Sequence, residues 1–442
     1  MVSILPWFVS FSTVRRRQRD DEVLSTGEPA SLLILVCTAT EGIGYCAFSR
    51  VTCVPFFDLK RQFRSLRDEI LQEITTVCDS QSFILGPKVE MLERDIASLC
   101  GACHAIGMAS GTDAELALLM GLDVGPGDAV VTSPFTFFAT GGCIARLGAK
   151  PIFVDIDRDT FNLSPNRLEE FFNSDCTFNG TGLRTGEDLL VKAVIPVHLF
   201  GLCCAMDEIL SICSRVRVPV IEDAAQAIGA EYPSGNGPRR AGAIGEFGFL
   251  SFYPTKNLGA FGDGGMALTR DARLAARLRS IRNQGMDPRY YHEVVGGNFR
   301  LDALQAAILL KKLPHLDRWS RRRWEIAQYY RAEFRELAPL LQSPVEPFAE
   351  SLGVHGHTYH QFVVRTTRRD ELREHLRSFG IGTEIYYPVP LHRQKCFTGF
   401  DTRSYPESEL AAGQVLALPI FPELSDAEVE IVAERVASFY QK

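Results

Sequence analysis

Apolar positions along residues 59–77 fall at Leu59, Phe63, Leu66, Ile70 and Ile74, in steps of three and four. That spacing places them on one stripe of an amphipathic helix. The next run, SFILGPKVEMLERDIASLCG, sets Pro87 where a second helix begins, a position that needs no backbone N–H. Short apolar runs then take over. Residues 105–108, 129–132, 151–154, 191–197, 217–221 and 247–252 read as strands, and AELALLMGL after Asp113 reads as a helix. Such alternation over a long chain predicts a largely parallel sheet with helices on both faces.

Helical patterns resume at 270–282 and 301–316 and continue through Phe334, after which strands at 361–365 and 383–387 flank a helix at 370–379. Ser425-Asp-Ala-Glu428 has the spacing of a capping box and opens a last amphipathic helix through Tyr440. The pattern predicts a large α/β domain over 53–324 and a smaller α+β domain over 325–442. The polar, glycine-containing stretch 173–188 reads as a surface excursion. Residues 1–52 carry the apolar runs MVSILPWFVSF and SLLILVCTA around RRRQRDDE. Charge follows the first run, and the second is far shorter than the ~20 residues of a bilayer span. A disordered extension or a start placed too early is expected there, with neither signal peptide nor membrane span.

Composition narrows the function classes. With 442 residues, 46% hydrophobic and 23% charged, the chain is an ordinary globular one long enough for two domains. A formal net charge of −7 supplies no broad basic field, so no nucleic-acid partner is expected. Arg321 to Arg323, between Trp319 and Trp324, reads as a solvated face beside a core stripe. The 12 cysteines, scattered through apolar segments, predict buried thiols in a reducing compartment and hence a cytoplasmic location. Cys100-Gly-Ala-Cys103-His104 lacks a second cysteine pair to complete four ligands, and no metal site is expected.

Candidate chemistry concentrates in three stretches. In FLSFYPTKNLGAFGDGG (249–265) a strand runs into Lys256 and then into Gly259, Gly262, Gly264 and Gly265, so an amine stands where burial lowers its pKa. In VPVIEDAAQAIG (218–229) a strand ends at Glu222 and Asp223, with Gln226 just beyond. ASGTD (109–113) opens a helix, where the hydroxyls of Ser110 and Thr112 and the backbone N–H groups suit a phosphate. The three together fit pyridoxal 5′-phosphate (PLP). Lys256 would bond the cofactor aldehyde and then carry a proton, Asp223 would pair with the ring nitrogen, and Gln226 would donate to the ring oxygen. Within Pro134-Phe135-Thr136-Phe137 an aromatic ring is expected over the cofactor, Phe137 in preference to Phe135. His198, after the strand in PVHLFG, is expected to touch substrate.

FFDLKRQF (56–63), ASGTDAELALL (109–119), SPFTFFAT (133–140), AKPIFVDID (149–157), PVHLFG (196–201), EDAAQAIGA (222–230), SFYPTKNLGAFGDGG (251–265) and GNFRLDALQAAIL (297–309) follow one another in unbroken order. From about Pro55 onward the chain resembles the DegT/DnrJ/EryC1/StrS family of sugar aminotransferases. The resemblance implies a fold-type I, aspartate aminotransferase-like architecture, with Lys256 as Schiff-base lysine, Asp223 on the pyridine nitrogen and Gln226 on the phenolate. It also implies Gly111, Thr112 and Ser251 as phosphate ligands and Phe137 stacked on the ring. Asn298 resembles an asparagine that reaches the phosphate of a neighbouring subunit, which implies a homodimer with shared active sites. Tyr290, Tyr291 and His292 are expected in the wall supplied by that partner.

Family members with histidine in place of the lysine are dehydratases, so Lys256 implies amino transfer. Tyr386-Tyr387-Pro388-Val389-Pro390-Leu391-His392 resembles members that aminate C3 of 3-keto-6-deoxy nucleotide sugars, which places Tyr387 and His392 near the sugar. The expected reaction is a ping-pong transfer from L-glutamate or L-glutamine to such a sugar. Rival expectations are a C4 aminotransferase, an inosose aminotransferase and a PLP-binding regulatory or structural homologue without turnover.

Overall fold

The computed structural model describes residues 53–180 and 182–441. The expectations for 1–52 lie outside these residues. The helical stripe at the start forms the helix Leu59–Ser80, N-capped by the Asp58 side chain. The second helix is Pro87–Cys100, with Pro87 in its first turn.

The strands of the α/β region lie in two sheets. One is four-stranded in the order His104–Met108, Gly265–Thr269, Phe247–Ser251, Ile221–Asp223. The other is five-stranded and runs Lys150–Phe153, Asp128–Thr132, Leu190–Ile195, ending in the hairpin strands Leu183–Thr185 and Cys176–Phe178. Parallel bridges Val194 to Val220 and Val197 to Asp223 join the two side by side. Asp128–Thr132 is parallel to both neighbours, and Ile221–Asp223 is parallel to Phe247–Ser251. Gly265–Thr269 runs antiparallel to both of its neighbours, so the sheet is parallel apart from that strand and the edge hairpin.

Successive side chains of a strand face opposite sides. Ala129 and Val131 accordingly join one core with the helices Pro87–Cys100, Pro165–Ser174 and Met206–Arg215. Val130 joins the other with Gly111–Gly121, Phe138–Arg146 and Ala272–Ile281. The hairpin accounts for the polar excursion at 173–188, and its Phe178 is exposed.

Two strand boundaries differ from expectation. The run 217–221 pairs only from Val220 onward and its strand is Ile221–Asp223, because Pro219 has no N–H for the ladder. The strand expected at 383–387 does not form. Within it Glu384 alone pairs, with Ala417, and the chain leaves the sheet before Pro388. The partner of Phe362–Arg365 is instead Val415–Leu418, in an antiparallel pair.

Behind that pair a separate apolar cluster gathers Leu372 and Leu376 of one helix, Val429, Val432 and Val436 of the last helix, and Val54 from the start of the described chain. Ser425 and Glu428 form the capping box of that last helix. The proposed division at 324/325 falls inside the helix Leu316–Glu333. Leu316 packs in the α/β core, whereas Ile326, Ala327 and Tyr330 pack in the C-terminal cluster. The described residues belong to one compact unit.

Two composition-based expectations change. Arg323 is not solvated: it is 2% exposed and donates to the carbonyls of Tyr359, His360 and Ile420 at 3.2, 3.4 and 2.7 Å. A guanidinium with fixed donors can satisfy several carbonyls at a chain crossing, which a helical spacing rule does not register. Cys100, Cys143, Cys203, Cys204 and Cys213 are buried, but Cys53, Cys78, Cys103 and Cys396 are exposed. Among the described residues no helix is long and apolar enough to cross a membrane, and no group of three or more His, Cys, Asp or Glu is placed to hold a metal ion.

Candidate active site

The carboxyl ends of the parallel strands, where open α/β sheets bind ligands, meet at one edge. Asp223 and Ser251 close their strands there, and the antiparallel strand Gly265–Thr269 begins there. A cavity of about 660 Å³ opens at this edge, lined by Gly111, Thr112, Phe137, Asp223, Gln226, Ser251 and Lys256 among others.

Burial holds the Asp223 carboxyl above the usual carboxylate range, while the Ala225 N–H, Lys256 and the Thr140 hydroxyl act in the opposite direction. Its two oxygens are fixed separately. Ala225 N donates to Oδ1 at 3.1 Å and the Thr140 hydroxyl to Oδ2 at 3.0 Å. Lys256 keeps some opening to the cavity, yet the dry packing around its amine brings the pKa down to about 8, against a smaller upward pull from Asp223. A buried acid and an amine of lowered basicity thus face one cavity.

Beside them the helix Gly111–Gly121 starts at Ser110, whose hydroxyl accepts from Asp113 N at 3.0 Å. The N–H groups of Gly111 and Thr112 have no acceptor among the described residues and stand at the positive end of the helix. Glycine is required at this contact. A Cβ on Gly111 would lie 2.8 Å from Ser251 Cβ, and one on Gly265 would lie 2.3 Å from the Ser110 carbonyl carbon. The helix start and the strand ends are therefore in close contact, and the free N–H groups at the helix start suit an anion such as a phosphate.

Phe137, 57% exposed, stands on the rim with its ring centroid 6.3 Å from that of Tyr387, whereas Phe135 is buried and does not line the cavity. Gln226 is fixed at one end by Phe200 N, which donates to Oε1 at 2.7 Å, and its Nε2 donates to the Tyr387 hydroxyl at 3.0 Å. Ser110 caps the helix from behind the lining.

Ser110, His198 and His392, all expected at the site, do not line the cavity. His198 is fully buried: Nδ1 accepts from Cys204 N at 3.1 Å, and Nε2 donates to Glu222 Oε2 at 2.9 Å. With both ring nitrogens committed, His198 has none to offer a substrate. Glu222 in turn accepts from Gly242 N and Gly245 N, so this pair braces the strand ends from below. His392 follows Pro390 into a turn that directs its Nε2 to Glu409 Oε1 at 2.9 Å and its ring edge to Tyr405. Burial lowers its pKa, with Glu409 opposing. Asn298 is exposed and bridged to Asn283, outside its own chain's cavity. Tyr290 and Tyr291 are also exposed.

Several lining residues carried no sequence signal of their own. His360, Gln361, Glu384 and Ile385 enter from the C-terminal region, next to Tyr386 of the 386–392 stretch, and Tyr253, Thr255 and Asp263 from the lysine loop. Thr140, within SPFTFFAT, is a further functional residue through its bond to Asp223. Its place in the first turn of the helix Phe138–Arg146, behind an aromatic rim, is the one signal that pointed inward.

The model of the DegT/DnrJ/EryC1/StrS aminotransferase family matches residues 64–437. A pleiotropic regulatory protein of Geobacillus stearothermophilus is 46% identical over 88% of this chain and 99% of its own length. A UDP-N-acetyl-3-dehydro-alpha-D-glucosamine 3-aminotransferase of Acidithiobacillus ferrooxidans is 41% identical over 86% of this chain and 96% of its own. Among solved structures, that of S. venezuelae DesV in complex with a ketimine intermediate superposes with a TM-score of 0.80 at 38% identity, covering 88% of this chain and 99% of that one. The structure of NtdA from Bacillus subtilis, with bound cofactor PMP, has a TM-score of 0.78 at 28% identity over 88% and 86% of the two chains. The architecture is that of fold-type I PLP-dependent transferases.

Proposed function

From a chain that belongs to the DegT/DnrJ/EryC1/StrS aminotransferase family, we propose a PLP-dependent enzyme that moves the amino group of L-glutamate or L-glutamine to C3 of a nucleotide-linked 3-keto-6-deoxy sugar. The observation that carries the reading is the meeting of Lys256, Asp223 and the Gly111–Thr112 cradle in one cavity. A relative that acts on a UDP-linked 3-dehydro sugar supports C3.

The residues present fit PLP. Thr112, the N–H groups of Gly111 and Thr112, and Ser251 would hold its phosphate; Asp223 its ring nitrogen; Phe137 a ring face; Lys256 its aldehyde carbon. When bound, the group supplies a carbonyl that takes up an amine and a ring that draws electrons from the carbon being deprotonated. The chain's own part is positional and acid–base. Asp223, held through both oxygens, would offer its carboxylate to the ring nitrogen. Lys256 Nζ, uncharged for an appreciable fraction near neutral pH, takes the α-proton from the donor and returns one to the acceptor carbon. Gln226, anchored by Phe200 N and donating one N–H to the Tyr387 hydroxyl, would have its second N–H for the ring oxygen. Because donor and acceptor use the same cavity and the same amine, they bind in turn, a ping-pong cycle. Asn298 and Tyr290 to His292 complete the neighbouring site of a homodimer.

The low basicity of Lys256 has a measurable consequence. The neutral amine is the nucleophile, so capture of added PLP by the apo-protein should accelerate as pH rises through about 8 and then level off. A rate still climbing toward the ordinary lysine value of about 10.4 would contradict the buried placement. Stopped-flow absorbance over a pH series measures it.

The name of the Geobacillus relative favours a second reading, a PLP-binding regulator without turnover. One assay separates these readings and the C4 and inosose alternatives. PLP-loaded protein is given L-glutamate with 3-keto or 4-keto nucleotide sugars, or with a free inosose. An amino sugar formed from the 3-keto substrate alone supports the proposal. Product only from the 4-keto sugar or the inosose, or no product with any acceptor or donor, defeats it.

A further inference from the structure

Lys312 ends the helix Ala303–Lys312 and is 1% exposed, and its Nζ donates to Gly259 O at 2.6 Å, its one hydrogen-bond partner among the described residues. Burial brings its pKa to about 8, with Glu423 opposing. An amine taken out of water for a single backbone carbonyl is a costly contact, and it falls on the loop that carries Lys256. That loop closes on itself. Lys256 N donates to Tyr253 O and Ala260 N to Phe252 O, each at 2.8 Å, and a Cβ on Gly259 would lie 2.2 Å from Pro254 O. Gly259 and Pro254 thus meet on either side of Lys256, so whatever fixes the one fixes the other. Tyr253, Thr255 and Lys256 line the active cavity, whereas Pro254, Ala260 and Phe261 line a separate cavity of about 250 Å³ together with Lys312. A loop with open space behind it depends on a tether more than on packing. The same helix also holds Phe261, whose N donates to Gln305 Oε1 at 2.8 Å and whose ring centroid lies 4.9 Å from Lys312 Nζ.

Resting on the reading that Lys256 carries the cofactor, we propose that Lys312 is a positioning residue for Lys256: by holding the Gly259 carbonyl it keeps the lysine loop in place against the active cavity. It touches neither cofactor nor substrate, since it does not line that cavity. Asn257 holds the same loop at a second point, its Nδ2 donating to Thr358 O at 3.1 Å and its Oδ1 accepting from His360 Nδ1 at 3.1 Å. With one tie cut and the other kept, the loop should drift without unfolding. An amine that has to reach one carbon and then move a proton loses rate steeply with displacement, about a hundredfold for a shift of about 1 Å.

Lys312→Met keeps an unbranched stem of similar length and removes the donor. In the apo-protein, hydrogen exchange read by mass spectrometry should speed up at least about tenfold across residues 253–262, with the flanking strands Phe247–Ser251 and Gly265–Thr269 unchanged. In the PLP-loaded variant the α-proton exchange of L-glutamate should slow at least about tenfold, while the glutamate concentration for half-saturation stays within about threefold of the native value. Either change without the other, or neither, overturns the inference, as does a loss that lies in glutamate affinity. Loosening that spreads into the two strands, or loss of the cooperative urea transition, also overturns it, since Lys312 would then support the fold at large. All of these leave the PLP reading intact. Native protein that takes up no PLP and exchanges no α-proton overturns both together.

Discussion

Lys256→Ala should lower the rate of amino transfer by about a thousandfold or more, since one side chain supplies both the attachment point and the proton carrier. The loss should come without unfolding. The amine sits in surroundings dry enough to bring its pKa to about 8, so burying it costs stability, and alanine removes that cost. The urea midpoint of the apo-protein should hold or rise. Truncation also leaves room for a small base, and added methylamine should restore part of the α-proton exchange of L-glutamate, read by NMR in deuterated solvent. Turnover within about tenfold of the native rate would remove Lys256 from the chemistry.

Asp223→Asn should slow the same exchange by about a hundredfold to a thousandfold while leaving the fold in place. The amide is isosteric. Its oxygen can still accept from Ala225 N, and its NH₂ can still meet the Thr140 hydroxyl, which donates to the carboxylate in the native protein. What disappears is the charge that would hold a ring nitrogen protonated. Since burial already penalises the ionised carboxyl, the substitution should not lower the urea midpoint. A large fall in stability with exchange intact would make Asp223 a structural residue. Exchange near the native rate in a folded variant would make it dispensable.

The cradle and the two strand-end groups were legible in the sequence because each is local: a helix start at ASGTD, a carboxylate closing VPVIED, a lysine after FLSFY. The short apolar runs likewise marked the strands, since a strand buried on both faces needs no knowledge of its neighbours to look apolar. Misreadings arose where a polar group's partner is far along the chain. His198 and His392 both follow apolar or proline-bounded segments, as ligand-facing residues do. Their partners, Glu222 and Glu409, turn them into hydrogen-bonded pairs, the first fully buried, that no local pattern distinguishes from a substrate contact. Arg323 looked solvated for the same reason, its acceptors being carbonyls of residues 359, 360 and 420. The strand expected at 383–387 shrinks to one bridge at Glu384, and no local pattern marked Glu384 as lining the cavity.

The central claim, that one amine in this cavity carries the cofactor, is tested most directly by borohydride reduction of the PLP-loaded protein followed by peptide mapping. The phosphopyridoxyl mass should appear on the peptide containing Lys256 and nowhere else. Lys312 is the informative competitor, because burial brings its pKa to about 8 as well, yet its Nζ is tied to Gly259 O and it does not line the cavity. A modification found on Lys312, or spread over surface lysines with Lys256 untouched, would contradict the account.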